Sequence, residues 1–174
     1  KQENMKKILL FACLSIMAIL PCHAQKVFNA IYESSNKTLN DTKEDVSVRK
    51  IALFKVDALT YLNTKTMEEM SDSTRELKPE DMMDIIARRD SQAYYMYDYV
   101  NLFIKEYSRA KKEKEKENIM KMFRDASINY PLFNETNRDF VLAYYNRDDF
   151  LTQFSLATDW VKANAAVRRK MRGE

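Results

Sequence analysis

The stretch Gln92-Ala-Tyr-Tyr-Met-Tyr-Asp-Tyr-Val-Asn-Leu-Phe-Ile-Lys-Glu-Tyr107 decides the fold. On a wheel of 3.6 residues per turn, Ala93, Met96, Tyr97, Val100, Phe103, Ile104 and Tyr107 share one face. Tyr95, Tyr99 and Leu102 widen the apolar arc past half the circumference, and Asp98, Asn101 and Lys105, with Tyr94 among them, form the wet edge. A helix apolar over so much of its surface belongs in the middle of a bundle. The rest of the chain agrees, because one Gly and three Pro in 174 residues leave few breakers and apolar residues recur at helical spacing. The expectation is an all-α fold, a single-domain bundle of about five to seven helices over residues 25–174, preceded by a signal peptide in residues 1–24.

The leader reading rests on Met5-Lys6-Lys7, a short basic start, followed by an apolar run over residues 8–20. Those 13 residues are too few to cross about 30 Å of hydrocarbon. Cys22 and Ala24 then supply small residues for cleavage before Gln25. Lipidation of Cys22 is disfavoured by Pro21, which stands where a small residue is wanted. Cleavage would remove both cysteines, Cys13 and Cys22, and the single histidine, His23. It would also remove Lys1, Lys6, Lys7 and Glu3, so that 29 basic and 26 acidic residues become 26 and 25 and the net charge falls from +3 to +1.

Whole chemistries fall away with these residues. A near-neutral chain lacks the concentrated basic surface that nucleic acid requires, so no nucleic-acid partner is expected. With the single glycine at Gly173, no glycine-rich phosphate loop, dinucleotide fingerprint or nucleophile elbow can form. Without His or Cys there is no Ser-His-Asp triad, no Cys-His pair and no zinc site of the common type. Carboxylate, Lys, Tyr and Arg chemistry remains. No catalytic residue, cofactor site or metal site is singled out, and no transmembrane segment is expected after cleavage.

Along the chain, a first helix is expected over 26–34 and a loop over the polar stretch that follows. A second helix should run from Val46 to Met70, with Ile51, Phe54, Ala58, Tyr61 and Leu62 as its core stripe and Leu53, Val56 and Thr60 on the other side. Pro79, followed by Glu80 and Asp81, starts a third. A hinge is expected over 88–91, where Asp90 would cap a new helix. The alternating charges of 111–117 read as an exposed helical turn or connector, and Ile119, Met122, Phe123 and Ala126 define a helix ending before Pro131. The segment Asn134-Glu-Thr-Asn starts another, with Phe140, Val141 and Tyr144 inward, and Arg147-Asp-Asp punctuates it. A last helix should carry Phe154, Ala157, Trp160, Val161 and Ala165, ending in Arg168, Arg169, Lys170 and Arg172 with Gly173 as a left-handed cap.

The candidate interaction surface is Tyr94 together with Tyr144, Tyr145, Asn146, Arg147, Asp148 and Asp149, the densest mixture of rings and hydrogen-bonding groups. The same composition also suits an ordinary turn between helices. Methionines at 67, 70, 82, 83, 96, 120 and 122 could line a plastic groove for lipid or peptide, or fill a core. Glu68, Glu69, Asp72, Glu76, Glu80, Asp81 and Asp84 lack the order and the glycine of a calcium loop and read as a solvated face. The basic tail over 168–172 has a sufficient role at a helix C-terminus.

Asp72-Ser73-Thr74 resembles the short O-glycosylation signal on exported proteins of Bacteroides-type bacteria. More widely, the Lys-Lys leader ending in Ala24-Gln25, Ile51-Ala-Leu-Phe-Lys-Val-Asp-Ala-Leu-Thr-Tyr-Leu62 and the run from Gln92 to Ile104 resemble small exported all-helical proteins of Bacteroidales. That resemblance implies an exported compartment and a helical class, and brings no activity. The functional expectation is an exported, periplasmic or secreted, non-enzymatic domain that binds another protein or a cell-envelope component. A carrier of a small apolar or lipid-like ligand and a carboxylate-based enzyme acting on glycans are its rivals.

Overall fold

The computed structural model describes residues 24–174, with side chains from Val27 onward. The expected signal peptide over 1–24, with Cys13, Cys22 and His23, lies outside the described residues except for Ala24. Among the described residues there are six α-helices, α1 (Ala24–Asn40), α2 (Val46–Met70), α3 (Pro79–Arg109), α4 (Glu113–Asn129), α5 (Arg138–Val141) and α6 (Trp160–Met171), with one 3-10 turn at Leu132–Asn134. The all-α expectation holds, and among the described residues the sole β pairing is an isolated bridge between Pro131 and Thr158.

α1 is longer than its sequence suggests. Ser35, Thr38 and Leu39 belong to the stretch expected as a loop, yet they lie in the helix, because Ser35 is buried against its neighbours and tertiary packing overrides weak propensity. Arg49 of α2 donates to the Leu39 carbonyl (3.0 Å), which satisfies an acceptor the helix end leaves free. Asp45 caps α2 by accepting from the Ser47 amide (2.7 Å). In α2, Ala52, Phe54, Ala58, Leu59, Tyr61, Leu62 and Thr66 are buried, while Ile51 is half-buried and Thr60 of the opposite stripe is exposed.

α3 starts at Pro79, and its Lys78 cap amide donates to Asp81 (2.9 Å). It continues without interruption for 31 residues, about 46 Å, so the expected hinge over 88–91 is absent. Asp90 caps nothing. It is buried in mid-helix and paired with Arg89 (2.9 Å), whose guanidinium also lies 4.5 Å from the centre of the Phe28 ring. The inward face of α3 is Gln92, Ala93, Met96, Tyr99, Val100 and Phe103. Tyr97, expected inward, is 40% exposed, because the buried arc is centred one position round, on Met96, Tyr99 and Phe103.

Around that face runs a chain of edge-to-face rings. Tyr99 lies 5.0 Å from Phe123, 5.4 Å from Phe154 and 5.4 Å from Trp160, and Phe54 lies 5.7 Å from Phe154 and 6.0 Å from Trp160. Each such pair is worth about 0.5–1.5 kcal/mol beyond the area it buries. The Tyr99 hydroxyl donates to the Phe123 carbonyl and ties α3 to α4.

The largest departure lies before α6. Phe154 and Ala157 are not helical. Every residue over 152–159 is buried, in irregular backbone threaded between α3, α4 and α6. Buried backbone must find partners. Leu156 N–H donates to Phe140 O (3.2 Å), Asp159 N–H to Tyr130 O (2.6 Å) and Ser155 N–H to the Ser127 hydroxyl (2.9 Å), while Ala157 O accepts from Leu132 N–H (2.6 Å). The side chains of Ser155, Thr158 and Asp159 bond to the backbone of Ala157, Ser155 and Lys162 in competition with a helix ladder, which is why the apolar spacing here does not become a helix. The inward face of α6 is accordingly Trp160, Ala163, Asn164 and Val167, with Val161 half-buried and Ala165 exposed. Its end matches expectation: Gly173 has φ 80° and donates to Lys170 O (3.1 Å).

Candidate functional site

The turn from Tyr144 to Asp149 stays together but closes on itself. Tyr144 is buried, its hydroxyl donates to the Asp57 carboxylate of α2, and burial together with that carboxylate holds its phenol well above the usual range. Tyr145 is half-buried with the Arg124 guanidinium 3.6 Å from its ring centre. Lys50 of α2 donates to both the carbonyl and the carboxylate of Asp149 (2.9 Å each), and the Lys50 bond holds the Asp149 carboxyl below the usual range. Arg147 lies over Phe150 (4.2 Å) and Tyr144 (5.5 Å). The polar residues of this turn therefore clasp the buried 152–159 segment to α2. Asn146, Arg147, Asp148 and Asp149 form an exposed rim. Tyr94 is not brought to them: 53% exposed on α3, it packs edge-to-face on Tyr95 (5.4 Å).

The methionines divide likewise. Met96 is core, Met120 and Met122 pack on it, and Met67 and Met83 are exposed. Several of the acids weighed for calcium are ion-paired, Glu68 with Lys65 (3.2 Å) and Glu69 with Arg75 (3.4 Å) and Arg88. Among the described residues no group of three His, Cys, Asp or Glu is placed to hold a metal ion, and no helix is long and apolar enough to cross a membrane. Ser73 and Thr74 lie exposed in the loop between α2 and α3, where Asp72 accepts from the Thr74 amide (2.9 Å).

A different place has the geometry of a ligand site. α1, α2 and α3 leave an open groove of about 470 Å³ between them. Val48, Ile51 and Ala52 of α2 and Ile104 of α3 give it apolar walls, and Ser34, Ser35 and Thr38 of α1 give it a hydroxyl edge. Lys55 stands inside, donating to Asn101 Oδ1 (3.0 Å) with its ammonium 4.6 Å from the centre of the Tyr97 ring. No Asp or Glu lines this groove, and among the described residues Lys55 has no carboxylate partner. Burial lowers its pKa to about 8, since nothing opposite in charge compensates for lost water. Lys105, a second cation, lies exposed at the groove's edge, one turn along α3 from Asn101.

Sequence reasoning did not select Lys55. The available signal was its place between Phe54 and Val56 in an otherwise apolar run, together with Tyr97, Asn101 and Lys105 at four-residue spacing. Two smaller clefts, of about 240 and 440 Å³, border α4 and α6 and share Met122, Asp125 and Lys170.

The arrangement can accept a molecule with an apolar body and a polar end. Its volume falls within the range of small-ligand sites, about 300–1,000 Å³. No protein-family model, curated protein or solved structure matches the chain.

Proposed function

We propose that this chain is an exported, non-enzymatic helical binding protein and that its ligand is a component of the cell envelope. The reading is carried by the groove between α1, α2 and α3, the place where apolar walls, hydroxyls and an unpaired cation converge. Export is supported by the basic start, the apolar run and the small residues before Gln25. In support of a non-enzymatic role, the groove is lined by no carboxylate and the two smaller clefts described above each by Asp125 alone, whereas glycan hydrolysis uses a pair.

A soluble carrier of a small apolar molecule is the second reading, favoured by the same volume. The two differ in whether the ligand leaves its membrane. The test is a photo-crosslinking amino acid at Val48, in the groove, and at Met171, far along α6, in protein exposed to an envelope lipid extract. Adduct formation from position 48 and not from 171 is expected. Equal labelling of both positions, or none at 48, overturns the groove as the binding surface. N-terminal sequencing of protein recovered outside the cytoplasm should begin at Gln25.

A further inference from the structure

The groove's charge is one-sided, and that restricts its occupant. Lys55 is half-buried against the side-chain oxygen of Asn101, the face of Tyr97 and aliphatic side chains, so its positive charge loses part of its water without gaining a countercharge. The facing elements supply none. α1 contributes the uncharged Ser34, Ser35 and Thr38, and the other titratable groups lining the groove, Tyr97 and Lys105, both belong to α3. A neutral ligand would cover the half-buried charge without compensating it, and a cation would be repelled by it and by Lys105.

We propose that Lys55 anchors the carboxylate of a single-chain amphiphile whose apolar body lies along Val48, Ile51 and Ile104. This rests on the reading that the groove is the binding surface. A single desolvated ammonium matches one negative charge, and the hydroxyls of α1 lie in the same groove for a carboxylate to accept from. Binding then depends on the proton carried by Lys55. Affinity should be level from pH about 6, where the ligand is fully ionised, to about 8 and fall above it, by up to about tenfold per pH unit, as the free protein loses that proton. A bound carboxylate raises the same pKa, so binding takes up protons at alkaline pH.

The test uses the full chain and titration calorimetry with decanoate, 1-decanol and decyltrimethylammonium as probes, at pH 7 and 9.5. Decanoate should bind at least about tenfold more tightly than either other probe, one pKa unit's worth of interaction. Lys55→Met should lose that preference while still binding decanol. Lys55→Arg should keep decanoate binding at pH 9.5, where the wild type weakens. Val48→Trp should block both decanoate and decanol by filling the groove. If Lys55→Met binds decanoate as the wild type does, the anchor is overturned. If both probes bind alike and Val48→Trp still blocks them, the groove reading survives and the anchor alone falls. If Val48→Trp leaves binding unchanged, the groove reading falls too. Failure of decanoate to bind, or preference for a polyglutamate peptide, overturns the amphiphile, and labelling at Val48 then judges the groove by itself.

Discussion

Lys55 places a charge where the fold itself would prefer none. A lysine whose folded pKa is depressed releases its proton before the unfolded chain does, so the unfolded state binds more protons between pH about 8 and 10.5 and stability rises with pH in that window. Urea unfolding should show the wild type gaining about 1–2 kcal/mol on Lys55→Met from pH 7.5 to 10, allowing for partial solvent screening. A flat difference would mean that the ammonium is not desolvated. Glu135 has the opposite sign. The Asn137 amide (2.9 Å), Lys65 (3.1 Å) and the Tyr61 hydroxyl (3.2 Å) all stabilise its charged form, and the Asn137 amide leads these in holding its carboxyl below the usual range. That contribution is present above the unfolded carboxyl value, about 4.3, and disappears as pH falls through the lower folded value. Glu135→Gln should cost about 1–2 kcal/mol at pH 7 and little at pH 2.5, measured by the same unfolding. Tyr99→Phe removes the bond to the Phe123 carbonyl and should cost about 1–2 kcal/mol with the ring packing intact.

Between residues and molecule, two elements behave differently from their sequence patterns. The polar residues over 88–91 suggested a hinge, yet Arg89 is held by Phe28 of α1 and Asn63 of α2 and pairs with the buried Asp90, so amide exchange there should be as slow as at Tyr99; fast exchange confined to 88–91 would restore the hinge. The irregular 152–159 segment stays buried because backbone bonds to Phe140, Tyr130 and Leu132 and a set of side-chain bonds together replace a helix ladder. The Gln92 amide donates to Asp159 (2.9 Å) and its carbonyl accepts from Trp160 N–H (2.7 Å), while Ser127 and Thr158 share a bond (2.6 Å). Gln92→Leu therefore leaves a buried N–H and strips a carboxylate of a donor. It should cost about 3 kcal/mol, read as a lower denaturant midpoint with unchanged slope. An effect below about 0.5 kcal/mol, the scale of a surface change, would show that water can replace the glutamine. By contrast, Lys114→Ala in the alternating run at the start of α4 should stay within about 0.5 kcal/mol.

At the scale of the molecule, α3 is the common partner: α1 and α2 pack on one side, α4 and α6 on the other, and the aromatic core is one continuous cluster. Unfolding followed by far-ultraviolet circular dichroism and by Trp160 fluorescence should therefore coincide, and separated transitions would mean that α1 and α2 melt apart from the rest. The helical class, the ends of α2, the start of α3 and the glycine cap of α6 were legible in the chain, because apolar period, proline and glycine act within a few residues of themselves. The candidate surface was legible only as composition. Tyr144 reads as a recognition residue until Asp57, far away in sequence, takes its hydroxyl. Lys55 reads as one lysine among many until Asn101 and Tyr97 close round it. Local sequence alone determined that this chain is helical and short of histidine, cysteine and glycine chemistry, since those are properties of period and composition. Where the buried arc of α3 points, which polar residues become clasps and which cation is left without a countercharge were decided by tertiary packing, because burial and charge pairing depend on groups that only the folded chain brings together.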